Sequence, residues 1–179
     1  MDKNRIVDQV EGLYKIVEFI EFRKTQSVSF SMVPLGSLAK ISIVDRVYHG
    51  PGAYSPGSVE GVVRPWYMHP GQADNLLLVQ GARYVELYDP KKREIVCFDV
   101  YPEKIVKDGE TVCTNAGLLC WPAGVFHRII SCPENGSLAL NFACHDDNFY
   151  WKTNFNVYDL DIESGESRII REGWQDQTI

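Results

Sequence analysis

The side chains of this chain with the most capacity for chemistry fall in two short stretches near its middle. The first reads Gly61-Val-Val-Arg64-Pro-Trp66-Tyr67-Met-His69-Pro-Gly-Gln72-Ala-Asp74 and, after six further residues, closes at Gly81. The second reads Trp121-Pro122-Ala-Gly124-Val-Phe126-His127. First-row divalent metals take several nitrogen and oxygen donors converging on one point. An imidazole, with a pKa near 6.5, is also a base suited to neutral pH. Either chemistry needs rigid elements that bring the two stretches together.

Short strands are the elements the sequence offers. Val28, Phe30 and Met32 alternate with serines, the pattern of a half-buried strand. Ile41 to Val47 and Leu76 to Val79 are further candidates. Arg83 to Tyr88 and Glu94 to Tyr101 flank Asp89-Pro90-Lys91-Lys92, which predicts a hairpin. Phe126 to Ser131 and Ser137 to Phe142 flank Asn135-Gly136, a strong hairpin signal because both residues tolerate positive φ. In the tail, Asn156 to Asp161 and Ser167 to Arg171 flank Glu163-Ser-Gly-Glu and predict one more hairpin, packed on the barrel or on a second subunit. Ile6, Val10, Leu13, Val17 and Ile20 recur at helical intervals, so a short amphipathic helix is expected there. Many short strands with Gly/Pro turns argue for an all-β architecture.

Composition narrows the classes. The chain has 179 residues, of which 45% are hydrophobic and 23% charged, as in an ordinary globular domain. One domain spanning 1–179 is expected. A formal net charge of -6 disfavours a nucleic-acid partner, which needs a clustered basic footprint. No apolar stretch long enough for a signal peptide or a membrane span follows the mixed-charge start, so no membrane partner and a cytoplasmic location are expected. The five cysteines form no C-x-x-C pair and are expected as free thiols. Phosphate-loop, dinucleotide-fold and nucleophile-elbow motifs are absent, which disfavours nucleotide hydrolysis, Rossmann redox chemistry and α/β-hydrolase catalysis.

The two stretches resemble the paired motifs of the cupin family, G-x5-H-x-H-x3,4-E-x6-G and G-x5-P-x-G-x2-H-x3-N. Every spacing of the first motif is kept, with Tyr67 in the first histidine's place and Asp74 in the glutamate's. In the second, Pro122, Gly124 and His127 match, Ala116 fills the opening glycine's slot with Gly117 next, and Ser131 replaces the asparagine. The resemblance implies a double-stranded β-helix, the jelly-roll barrel of cupins, with a cavity at its mouth. It covers a core of 59–143, leaving an N-terminal segment 1–27 and a C-terminal hairpin extension 144–179.

Carried over position by position, the resemblance makes His69, Asp74 and His127 ligands of a divalent metal (Fe, Mn, Ni or Zn). Two histidines and one carboxylate with open positions suit such ions. Tyr67, a neutral phenol, fits better as a pocket acid or hydrogen-bond donor than as a ligand. Arg64, Trp66, Gln72, Trp121 and Phe126 are candidate pocket residues, Arg64 for a carboxylate or phosphate and the aromatic rings for apolar surface. Three readings stay open. One is a metal-dependent isomerase, epimerase or oxygenase acting on a small polar molecule. The second is a metal-free sugar epimerase, like the related deoxysugar epimerases, with a histidine–carboxylate base and Tyr67 as acid. The third is a ligand-binding barrel without catalysis. A small-molecule ligand and a homodimer are the expected partners.

Overall fold

The computed structural model describes residues 5–178. In chain order the strands are β1 (Ile6–Val10), β2 (Tyr14–Glu18), β3 (Ile20–Thr25), β4 (Val28–Met32), β5 (Ile43–His49), β6 (Tyr54–Ser55), β7 (Trp66–Tyr67) and β8 (Gln72–Gly81). They continue with β9 (Arg83–Asp89), β10 (Glu94–Tyr101), β11 (Lys104–Lys107), β12 (Glu110–Cys113), β13 (Gly117–Trp121), β14 (His127–Ser131) and β15 (Ser137–His145). A one-turn helix, α1 (Trp151–Asn154), precedes β16 (Val157–Leu160) and β17 (Ser167–Arg171). No helix among the described residues is long and apolar enough to cross a membrane.

Two sheets carry the fold. One runs β1-β2-β13-β8-β15-β5, and the other β12-β11-β10-β9-β14-β7-β16-β17 with β6 on β14. Their facing sides share one core, in which Ile16, Leu76, Leu119 and Ala139 of the first meet Val85, Leu87, Phe98 and Ile129 of the second. Strand side chains alternate between faces, so each sheet lends every second residue to this layer. The architecture is nearly all-β and jelly-roll-like. Among the described residues the sheets are hydrogen-bonded separately, with no ladder closing them into one continuous barrel.

The N-terminal segment is a hairpin of β1 and β2, not the expected helix. β2 pairs with β13, Val17 opposite Leu118 and Ile16 opposite Leu119. Ile16 faces the inter-sheet core while Val17 lies in a second cluster with Leu118, Cys120, Val33 and Leu38. With both faces covered, the period-two signal disappears, and the helical spacing of Ile6 to Ile20 is incidental. β4 is a strand as predicted, but every residue in it is exposed rather than half-buried. Among the described residues it pairs only with β3, outside both sheets.

The hairpins at Asp89-Pro90 and in the tail form as predicted, the second extending the second sheet through Val157 opposite Tyr67. The turn at Asn135-Gly136 does not make a hairpin. β14 pairs with β9, β7 and β6, whereas β15 pairs with β5 and β8 in the other sheet. Positive φ at Gly136 serves a corner where the chain changes sheets. All five cysteines are unpaired thiols, with only Cys97 exposed.

Candidate functional site

Four elements deliver the candidate side chains to one cavity between the sheets. Tyr67 ends β7, His69 follows it in the loop, Asp74 lies on β8 and His127 opens β14. Tyr67 and His127 are direct partners in the ladder. Gly124 of the second motif donates its N–H to the His69 carbonyl at 2.9 Å, which ties the two motif loops together. The cavity has a volume of about 260 Å³ and is lined by all four of these residues.

The hydrogen bonds around the histidines fix their orientation. His69 Nδ1–H donates to the Asn154 carbonyl, and His127 Nδ1–H donates to the Val125 carbonyl at 3.1 Å. A ring that donates from Nδ1 has its other nitrogen, Nε2, free to act as a base or ligand. Both Nε2 atoms face Asp74 Oδ2, His69 at 3.4 Å and His127 at 3.9 Å. The other carboxylate oxygen, Oδ1, accepts from Gln72 Nε2 at 2.7 Å and Asn141 Nδ2 at 2.6 Å. Asp74 is thereby aimed, with one oxygen held by amides and the other turned to the imidazoles.

All three residues are buried, and their ligand atoms lie within 4.8 Å of one another. Three acceptors facing one another in a buried space need a cation or a shared proton between them. A divalent ion bound by His69, Asp74 and His127 would satisfy all three at once and would polarise an oxygen of a bound molecule. A single proton between His69 Nε2 and Asp74 Oδ2 would satisfy two and leave His127 Nε2 as a free base.

Burial, reinforced by the neighbouring His69, pushes the His127 pKa down to about 4 against the pull of Asp74. His49, on the wall formed by β5, is also pushed down to about 4, by burial and then by the Arg83 guanidinium. Unfolded histidines protonate near 6.5 and His127 and His49 in the native chain only near 4, so at these two sites the unfolded chain binds more protons between these values. The stability these neutral rings permit is complete above pH ~6.5 and is lost as pH falls towards ~4. Denaturant midpoints measured across that window should therefore fall, and His127→Gln should flatten the slope. Burial raises the Tyr67 pKa, so its phenol stays protonated at neutral pH and is a donor rather than a phenolate ligand.

Of the other residues singled out in the sequence, Gln72 and Trp121 line the cavity. Arg64, Trp66 and Phe126 do not. Arg64 pairs with Glu86 at 3.3 Å and lies over the Tyr54 ring. Trp66 is buried against Tyr88 and Leu160 under the Arg128 guanidinium, and Phe126 packs edge-on to Tyr158. The resemblance gave no hint of several groups that matter. Asn154, on α1 in the tail, fixes His69 through its carbonyl and donates to Gln72 Oε1 at 2.9 Å. Asn141 on β15 holds Asp74, and Phe155 sets its ring edge against His69. A larger cavity of about 520 Å³, lined by Tyr14, Lys15, Asn75, Cys120 and Cys144, gathers no comparable acid–base cluster.

The fold and this site together define a cupin-like, jelly-roll architecture with a buried His–Asp–His cluster. No protein-family model and no curated protein matches the sequence. Among solved structures, the chain is similar to dTDP-4-dehydrorhamnose 3,5-epimerase from Sulfolobus tokodaii. The two are 12% identical, the match covers 96% of this chain and 84% of that one, and the TM-score is 0.52. It also matches the capsular polysaccharide assembling protein CapF from Staphylococcus aureus, at 15% identity over 91% of this chain and 33% of that one. The TM-score there is 0.37, too low to carry an argument. At these identities the likeness is one of fold.

Proposed function

We propose that this protein catalyses proton transfer at a carbon beside a carbonyl in a small polar, sugar-like molecule, as an epimerase or isomerase does. The observation that carries this reading is the convergence of two imidazole Nε2 atoms and Asp74 Oδ2 on one cavity. His127, neutral at physiological pH, would take the C–H proton on Nε2, and the electron pair would move onto the carbonyl oxygen as an enolate. Asp74 would stabilise the imidazolium so formed. Tyr67, a protonated phenol on the same cavity, would return a proton to carbon or hold the enolate oxygen. Positioned acids and bases contribute about 10²- to 10⁴-fold each. The fold shared with a sugar-nucleotide epimerase agrees with this class of reaction.

A second reading rests on the same atoms. The Nδ1–H donors turned outward and the acceptors turned inward also suit a divalent metal, held by His69, Asp74 and His127.

One experiment separates the readings. Chelator-treated and metal-supplemented protein are each incubated in D₂O with small hydroxyketones, aldoses and sugar acids, and deuterium uptake is followed by NMR. Exchange by the chelated protein that is lost in His127→Asn is the expected result. Exchange only after metal is added would move the assignment to the metal reading. No exchange in either state would leave a binding barrel. For the expected homodimer, the β3–β4 ribbon is the candidate contact, because a lone two-stranded ribbon is marginal in water and this one exposes Phe22, Val28 and Phe30. Molar mass in solution checks it.

A further inference from the structure

The cavity has a second polar end that the acid–base cluster does not use. Arg83 opens β9 in phase with the buried Val85 and Leu87, so its side chain points between the sheets. It is only 2% exposed and lines the cavity. Its Nε donates to Ser137 Oγ at 2.9 Å and its Nη2 to the Val47 carbonyl at 3.0 Å. Nη1 makes no hydrogen bond, and no carboxylate pairs with the guanidinium, among the described residues. Burial alone pulls its pKa down to about 10, with no nearby anion opposing the shift. His49 lines the same end, and its buried Nδ1 has no hydrogen-bond partner.

A buried cation without a counter-ion is costly, and proteins almost always pair such groups. We propose that Arg83 and His49 form a subsite for the carboxylate of a small acid, whose other end reaches the His–Asp–His cluster. The guanidinium Nη1–H and a His49 Nδ1–H are two donors for one carboxylate. They carry a single positive charge between them, since His49 stays neutral, which suits a monoanion better than a phosphate dianion. Distance sets the size of the acid. The Val47 carbonyl that Arg83 reaches lies two residues along β5 from Asp45, roughly 7 Å at ~3.3 Å per residue. Asp45 in turn joins Asn141 at 3.4 Å, beside Asp74. That span and a cavity of about 260 Å³, room for roughly nine waters at ~30 Å³ each, suit a chain of about four to six carbons. The inference rests on the proposed proton-transfer reading only for what happens at the far end.

The test is a titration of histidine-ring NMR signals with 4-hydroxybutyrate, its neutral counterpart 1,4-butanediol, and inorganic phosphate, on chelator-treated protein. The acid is expected to move the His49 signals saturably in the millimolar range, with the diol weaker by on the order of 10-fold or more. Arg83→Met should remove that preference; it deletes an uncompensated charge but also the donors to Ser137 Oγ and the Val47 carbonyl, so a thermal melt confirms that the variant is folded before the titration is read. Arg83→Lys should keep part of it. Equal binding of acid and diol, no saturable shift with the acid, or unchanged binding in Arg83→Met would overturn the subsite. Phosphate binding as tightly as the acid would overturn the carboxylate assignment. Asp74→Asn should still bind the acid at this end, so a failed proton-transfer reading and a failed anion subsite give different results.

Discussion

Asp74→Asn is expected to lower turnover of any substrate processed in the cavity by about 10²- to 10⁴-fold while leaving the fold intact. The asymmetry follows from where each oxygen points. Oδ1, which accepts from Gln72 and Asn141, has an equivalent in the asparagine carbonyl. Oδ2, which faces the two Nε2 acceptors, becomes an NH₂ group that donates to them. The variant satisfies the site's hydrogen bonds better than the native residue does, so its melting temperature should be equal or higher. What the amide cannot supply in this place is the negative charge beside two imidazoles. Asp74 also raises the His127 pKa, so the variant's ring should be harder still to protonate. An unchanged His127 titration in Asp74→Asn would break the electrostatic link between the two.

The largest stability effect is expected at the sheet-switching corner. Gly81 sits at φ +80°, and a Cβ there would lie 2.1 Å from the Gly136 carbonyl oxygen. Gly81→Ala combines the left-handed penalty, roughly 1–2 kcal/mol, with a backbone clash that no rotamer relieves, for a loss of about 3–5 kcal/mol. Gly109 provides the control. It sits at φ +88° with nothing near its missing Cβ, so Gly109→Ala should lose only the roughly 1–2 kcal/mol conformational share. Urea denaturation of the two variants measures the difference. Equal losses would show that Gly81 and Gly136 are not packed as described.

The contrast between these sites explains what the sequence made legible. The motif spacing brought His69, Asp74 and His127 to notice because strand alternation and fixed turns convert spacing into direction. The same alternation holds the signal for Arg83. An arginine in phase with Val85 and Leu87 on a strand is an inward-pointing charge, whereas Arg64, chosen beside the motif, is spent on Glu86. His49 was harder to find, because β5 points Asp45, Val47 and His49 inward while exposing Val44 and Tyr48. Apart from Arg46 and Val47, its polarity pattern therefore reads backwards. Asn154 lies 80 residues and more from the residues it positions, and only tertiary packing brings it there. Asn135-Gly136 predicts a hairpin and instead ends a turn between two sheets, because local turn chemistry says nothing about which sheet receives the next strand. β2 escaped for a related reason, since burial of Ile16 on one face and Val17 on the other removes the alternation that marks a strand.

The central claim is that both imidazoles are pinned through Nδ1–H and turn Nε2 to Asp74. Two-bond ¹H–¹⁵N correlation spectra of histidine-labelled, chelator-treated protein, recorded as a pH series, test it directly. The account predicts that His127 is the neutral Nδ1–H tautomer at pH 7 and stays neutral until pH approaches its depressed pKa of about 4. A His127 ring protonated on Nε2, or one titrating near 6.5 like a free histidine, would contradict it.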